Sequence, residues 1–327
     1  MRILEPALKS WLDQFNEALN ALKVSGFSPT PETARQGLAN LTLTLTPDSP
    51  EVAKIIDDEV ISQFEVSFSG MSVQGAPSIP IRIYHPSPDT ALPVLLYLHG
   101  GGHTAGSVTV YDPICRKLAI HTQHIVVSLD YRLAPEYPYP AGLTDCYQVA
   151  RGIWPLLEKH KVSAVKSLSV AGDSGGGALA ASLSQRACND ENLNIDKQIL
   201  IYPSLDYTMN QPSLIENGTG YLLQTETIAW YFNNYFQHHE NREQVSPLWQ
   251  EIDAGHFPKT LLFTAEFCPL RDEGKAFVDK LEQAGVNIEH HHFDNMIHAF
   301  LNMETLTAKA CQHVYQQAAS FLNDGIT

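Results

Sequence analysis

In Gly172-Asp173-Ser174-Gly175-Gly176 a serine stands where it could act as a nucleophile. Apolar residues of strand type, Leu168 and Val170, run into it, and a small-residue helical pattern from Ala178 to Leu183 runs out. The stretch fits G-x-S-x-G, a strand-to-helix turn that lifts a hydroxyl clear of a sheet. Glycines two before and two after the serine let the backbone pass close to itself, where a Cβ would clash. A helix that begins at the serine aims its first free N–H groups at whatever the serine attacks. A second glycine stretch, His99-Gly100-Gly101-Gly102-His103, follows directly on the apolar run 94–98. Three successive glycines bring bare N–H groups to a point, an arrangement that holds a developing oxyanion. Either stretch alone also fits a packing turn. Together, at the strand ends where open α/β sheets bind ligands, they point to a serine nucleophile facing an oxyanion hole.

A serine hydroxyl is a weak nucleophile until an imidazole takes its proton and later returns it to the leaving group. Among 14 histidines, His298 follows a strand-like run, Ile288 to Phe293, and precedes the last helical pattern, so its loop can reach back to the elbow. His290 and His292 share a strand face, but two ligands without a nearby third suit a solvated face better than a metal site. Asp130, Arg132 and Glu136 suggest a buried ion-pair network bracing the loops beneath the site, since arginine pairs bidentately with carboxylates. Asp173, next to the serine, is expected to point away and hold the elbow.

The surrounding pattern must position these groups. Residues 7–25 carry Leu8, Trp11, Leu12, Phe15, Leu19 and Leu22 at helical spacing, closed by Gly26. Thr30-Pro31 opens a second helix as N-cap and first residue. Val60–Phe68 and Ile79–Tyr84 alternate as antiparallel strands. Apolar runs at 94–98, 125–129, 167–170, 199–202 and 261–264, with helical stretches near 111–121, 142–160 and 175–188, give the βαβ rhythm of a mostly parallel, doubly covered sheet. The rhythm breaks between Asp206 and Gln244, where 228–236 forms an aromatic helix; a last helix covers 305–321. The 327 residues are 44% hydrophobic and 17% charged, enough for a large core. A net charge of −15 without a Lys/Arg cluster argues against nucleic acid and anionic membranes. Five cysteines, odd in number and without C-x-x-C spacing, suit a reducing cytoplasm. No apolar h-region opens the chain and no stretch is long enough to span a bilayer, so no leader and no membrane span are expected.

Several stretches in order resemble the bacterial hormone-sensitive-lipase-like esterases of the α/β-hydrolase superfamily (family IV carboxylesterases). They are His99-Gly-Gly-Gly102, Asp130-Tyr-Arg-Leu-Ala-Pro-Glu136 with Pro140-Ala141, Gly172-Asp-Ser-Gly-Gly176, Pro269-Leu-Arg-Asp-Glu273 and Met296-Ile-His-Ala-Phe300. The resemblance implies an α/β-hydrolase fold: a mostly parallel central sheet flanked by helices, with a helical cap. The core would be 46–205 and 245–327, the cap 1–45 and the insertion 206–244. It implies Ser174 as nucleophile, His298 as general base, and the N–H groups of Gly101, Gly102 and Gly175 as oxyanion hole. The implied reaction is hydrolysis of small to medium acyl esters through an acyl-serine intermediate, without cofactor or metal. The expected partner is a small-molecule ester, a homodimer being an allowed assembly. His103, Trp230 and Tyr231 are candidates for lining the substrate pocket; cap packing is the other reading of the aromatic insertion.

One departure stands out. The family places its triad aspartate immediately before Pro-Leu-Arg-Asp-Glu, where this chain has Cys268. A neutral thiol cannot stabilise an imidazolium as a carboxylate does. Asp272 is the first candidate surrogate, because a helix opened by Pro269 would put 268 and 272 on one face. Glu266, two residues back on the same strand face, is the second. A damaged triad also fits a low-activity or non-catalytic ligand-binding protein on this scaffold, as in the plant gibberellin receptors that resemble the family. Ser174 and His298 both being present favours an enzyme.

Overall fold

A computed structural model describes residues 2–62, 66–68, 71–73 and 78–325. Two helices lead, α1 (Pro6–Val24) and α2 (Pro31–Leu45). Pro6 and Pro31 open them, since the first helical position needs no N–H donor. Thr30 and Thr33 cap α2 reciprocally: Thr30 Oγ1 accepts Thr33 N–H at 3.2 Å, and Thr33 Oγ1 accepts Thr30 N–H at 2.8 Å. Such a cap contributes about 1 kcal/mol.

The first strand, β1 (Lys54–Val60), lies earlier than the expected 60–68, and positions 63–65 of that expectation fall outside the described residues. Asp57, Asp58 and Glu59 interrupt its alternation, which an edge strand tolerates because one side meets water. A separate short pair, β2 (Val66–Phe68) and β3 (Met71–Val73), follows. Then β4 (Ile79–His85) runs antiparallel to β1, Val60 opposite Ile79 and Lys54 opposite His85.

The alternating part consists of β5 (Leu92–Leu98), α3 (Val108–Thr122), β6 (Ile125–Leu129), α4 (Ala141–Lys159), β7 (Ala164–Asp173), α5 (Gly175–Ala187) and β8 (Lys197–Ile201). Three helices, α6 (Ser213–Glu216), α7 (Thr225–Tyr235) and α8 (Arg242–Val245), form the insertion. The chain closes with β9 (Lys259–Phe267), α9 (Arg271–Ala284), β10 (Ile288–Ile297) and α10 (Glu304–Asn323). The main sheet runs β1-β4-β6-β5-β7-β8-β9-β10, antiparallel up to β6 and parallel from there on. Helices pack as α3 on α10 and α4 on α5. Val94 to Leu98 are fully buried, which explains an unbroken apolar run where a half-exposed strand would alternate.

This order decides where the chemistry gathers. Leu98 pairs with Gly172, and Ile297 with Phe267. The loops after β5, β7, β9 and β10 therefore leave one edge of the sheet, carrying the glycine stretch, Ser174, Cys268 and His298. That edge is the carboxyl end of the parallel strands. Above it, α2 packs on α3 and α10, and α1 meets the insertion through Asn16 Nδ2 donating to Gly220 O (3.0 Å) and Lys23 to Glu226 (3.1 Å). Among the described residues no helix is long and apolar enough to cross a membrane.

Candidate active site

Ser174 sits between β7 and α5 with φ 54° and ψ −122°, a conformation that costs a non-glycine residue of order 1–3 kcal/mol. The surroundings hold it there. Its N–H donates to Ile201 O at 2.9 Å, and its carbonyl accepts Ser204 N–H at 3.1 Å. A Cβ on Gly172 would stand 2.3 Å from Gly176 O, and one on Gly176 would stand 2.0 Å from Leu98 O. Only glycine lets the turn close.

Ser174 Oγ lies 2.9 Å from His298 Nε2. The imidazole leaves β10 directly and is only 5% exposed, with the Tyr202 ring edge-on at 4.8 Å. Its Nδ1 faces Cys268 Sγ at 3.2 Å. Cys268 follows the last residue of β9, is 1% exposed, and its sulfur also accepts Leu270 N–H at 3.3 Å. Asn217 fixes the flanking backbone, donating from Nδ2 to Glu266 O (2.9 Å) and Cys268 O (3.0 Å). Burial raises the Cys268 thiol well above its ordinary range and pushes His298 down to about 3. A neutral imidazole beside a neutral thiol results near pH 7.

Neither expected surrogate meets the imidazole. Helix α9 begins at Arg271 with Leu270 as its N-cap, so Pro269 does not open it and Cys268 shares no helical face with Asp272. Arg271 holds both carboxylates, Asp272 at 2.7 Å and Glu266 at 3.0 Å. Glu266 also faces Arg2 at 2.8 Å and His292 at 3.0 Å. Both acids are committed to cations.

The glycine stretch is tied to the elbow by the residue before the serine. Asp173 turns into the core, where Oδ1 accepts Tyr97 O–H (2.9 Å) and Gly100 N–H (2.8 Å) and Oδ2 accepts Tyr111 O–H (3.0 Å). Burial raises this carboxyl to about 6 against those three donors. Gly101 O takes the N–H groups of Thr104 and Ala105, at 3.1 and 2.9 Å, closing the loop into a turn. A Cβ built on Gly175 would lie 3.2 Å from Gly102 N, so the two glycines face each other. Among the described residues no acceptor meets the N–H of Gly101, Gly102 or Gly175.

Two helices, α2 and α7, reach this point. Leu38 of α2 would meet a Cβ on Gly101 at 3.0 Å, and the Tyr231 ring of α7 one on Gly102 at 2.5 Å. Trp230 stands edge-to-face with Tyr231 at 5.2 Å. His103 goes elsewhere: it is 2% exposed and stacked on Tyr235 at 3.9 Å, inside an aromatic cluster with Tyr207.

The network expected of Asp130, Arg132 and Glu136 is not one network. Arg132 pairs bidentately with Asp145 of α4 (Nη2–Oδ1 2.8 Å, Nε–Oδ2 2.9 Å). Glu136 takes Arg35 of α2 (2.6 Å), while Asp130 accepts Val108 N–H (2.6 Å) at the start of α3. Spacing along the chain brought these three residues to notice; partners from distant elements separate them. His290 and His292 both contact Thr264 Oγ1 at 2.8 Å, and among the described residues no group of three potential ligands could hold a metal. Sequence reasoning missed Asn217, Tyr202 and Arg35, whose contacts span distant parts of the chain and leave no local signal.

A family model described as alpha/beta hydrolase fold matches residues 95–302. Carboxylesterase NlhH of Mycobacterium tuberculosis is 31% identical over 94% of this chain and 92% of its own length. An ethyl acetate hydrolase of Pseudomonas putida is 32% identical over 75% of the chain and 78% of its own. Among solved structures, an ester hydrolase from the metagenome of Lake Arreo, in complex with a phosphonate derivative, superposes with TM-score 0.84 at 29% identity, covering 99% of both chains. An esterase of Pyrobaculum calidifontis does so with TM-score 0.81 at 29% identity, covering 99% of this chain and 100% of that one. With the fold, the motif order and these relatives in agreement, the chain belongs to the hormone-sensitive-lipase-like esterases of the α/β-hydrolase superfamily.

Proposed function

We propose that the chain is a serine carboxylesterase acting on small to medium acyl esters, with Ser174 as nucleophile, His298 as base and Cys268 as an atypical third member. One observation carries the reading: Ser174 Oγ, lifted by its strained turn, meets His298 Nε2 at 2.9 Å beside glycine N–H groups that have no acceptor among the described residues. Nε2 takes the hydroxyl proton as Oγ bonds to the ester carbonyl carbon. Negative charge moves to the carbonyl oxygen, which the N–H groups of Gly101, Gly102 and Gly175 receive. The imidazolium then protonates the departing alkoxide, leaving an acyl-serine. Water, deprotonated by the same nitrogen, releases the acid and restores Ser174. No step calls on a metal or cofactor.

The helices of 1–45 and 206–244 act as a cap over the core, with Leu38 and Tyr231 closing on the oxyanion glycines. Five free cysteines fit a reducing compartment, and we place the enzyme in the cytoplasm. The test is a pre-steady-state burst of nitrophenolate from p-nitrophenyl acetate, with an alkyl phosphonate locating the nucleophile by mass spectrometry. A burst lost in Ser174→Ala and a label on Ser174 are expected. Label on another residue, or none at any pH, would overturn the reading in favour of a ligand-binding protein.

A further inference from the structure

We infer that Arg35, on the cap helix α2, is a positioning residue that locks the oxyanion loop. This rests on the serine-esterase reading above and extends the oxyanion hole into the cap. The guanidinium ties α2 to two loop segments, one at Thr104 and one at 134–136. Nε donates to Thr104 O at 2.9 Å, and Nη2 donates to Ala134 O at 3.1 Å. Glu136 receives Nη1 at 3.0 Å and Nη2 at 2.6 Å in a bidentate pair.

Thr104 belongs to the turn that orients the glycines, because its N–H and that of Ala105 both end on Gly101 O. Ala134 is joined to the same loop, its N–H donating to His103 O at 2.9 Å. One arginine therefore holds the far side of the oxyanion turn, while Asp173 holds the near side through Gly100. Leu38, one helical turn beyond Arg35, presses on Gly101 from the same helix. Fixed dipoles stabilise an oxyanion only when they are already aimed where charge develops. Gly101 and Gly102 have φ of 120° and 59°, open to many conformations without a brace.

The consequence is specific. Loss of Arg35 should weaken binding of the transition state while leaving the ester's ground-state contacts in place. A folded Arg35→Ala variant should lose about tenfold or more in kcat with KM within about twofold, since deleting a whole oxyanion donor costs 10²–10³. Arg35→Lys keeps one donor for Thr104 O and should recover part of that loss. Affinity for an alkyl boronic acid, which forms a tetrahedral adduct on the serine, should fall by the same factor as kcat/KM.

Wild-type binding of the boronic acid, and its loss in Ser174→Ala, tests the esterase reading independently; the Arg35 variants then report on the clamp alone. Should Arg35→Ala fail to fold, Leu38→Ala is measured the same way and should also lower kcat and boronate affinity together. Unchanged kcat in folded Arg35 variants, a loss confined to KM, or a fall in kcat with undiminished boronate affinity would overturn the assignment.

Discussion

His298 Nδ1 lies 3.2 Å from the sulfur of Cys268, so a thiol faces the ring nitrogen opposite the one that meets Ser174. For Nε2 to accept the Ser174 proton, Nδ1 must carry the ring hydrogen and the sulfur must accept it. Leu270 N–H already points at the sulfur from 3.3 Å, which favours the acceptor role. A thiol can also donate to Nδ1, moving the ring hydrogen to Nε2 and leaving no base for the serine. An ionised carboxylate permits only the first tautomer. Because burial keeps the thiol neutral, an imidazolium formed in the proposed attack would have no anion beside it among the described residues.

The pH dependence should show this directly. Burial alone pushes His298 down to about 3, from an ordinary value of 6.5. In the proposed mechanism the base is neutral imidazole, so activity should be lost only as pH falls through that low value. Native kcat/KM should hold down to about pH 5, well below the usual histidine limb. The same depression costs nothing above the unfolded value, where the ring is neutral in both states, but stability should fall as pH drops below about 6.5, because the unfolded chain then takes up a proton that buried His298 does not. In Cys268→Asp a carboxylate would favour the imidazolium, and the acid limb should move up by at least about one unit. An acid limb near 6.5 in the native enzyme would contradict this picture.

Asp173 joins the elbow to the glycine loop proposed as oxyanion hole, through Gly100, Tyr97 and Tyr111. Asp173→Ala would leave three buried donors without an acceptor, each costing about 1–3 kcal/mol. Its Tm should fall by several degrees and kcat about tenfold or more, because the glycines lose their near-side tether. Asp173→Asn keeps an oxygen for Tyr97 and Gly100 and should be much milder in both. Calorimetry with steady-state kinetics checks the pair; an alanine variant as stable and active as the native chain would refute it.

Much of the fold was legible because its signals are local. Apolar runs located the strands from β5 to β9, and glycine placement marked both the elbow and the turn at Gly100–Gly102 facing it, where a Cβ cannot fit. Charge pairing was not legible, because it depends on which elements meet. Arg132 chose Asp145 from α4 instead of its neighbours Asp130 and Glu136, and Glu136 chose Arg35 from α2. Sequence proximity likewise suggested Asp272 and Glu266 as acids, whereas Arg271 between them in the fold claims both. His103 adjoins the oxyanion glycines in sequence, but the left-handed turn at φ 59° sends its ring into the aromatic cluster.

Tyr231 overhangs the glycine turn, its ring lying where a Cβ of Gly102 would be 2.5 Å away. Its hydroxyl, raised to about 12 by burial, stays neutral at working pH, so the ring acts through bulk. Tyr231→Ala should shift preference toward longer or bulkier acyl chains, with kcat/KM for an octanoyl ester rising several-fold relative to acetyl. One methylene in such a pocket is worth about 10-fold or more, so the shift is measurable. A p-nitrophenyl ester series from acetyl to decanoyl gives the answer; an unchanged profile would place Tyr231 in cap packing alone.

Cys268→Asp should raise kcat/KM by roughly tenfold or more, since neutralising the acid of a serine-protease triad costs about 10⁴. A carboxylate there would accept Nδ1–H and the Leu270 N–H that now reach the sulfur, selecting the productive tautomer. Asp272→Asn and Glu266→Gln test whether a neighbour already serves. Both carboxylates are held by Arg271, and Glu266 by Arg2 and His292 as well, so freeing either for His298 would abandon an existing pair. We therefore expect each change to leave kcat/KM within about threefold, in the native and Cys268→Asp backgrounds alike. A surrogate acid would behave differently, being essential beside Cys268 and dispensable beside Asp at that position. That pattern for either residue would show the acid reaching His298 after all, and no gain from Cys268→Asp would show that the thiol already suffices.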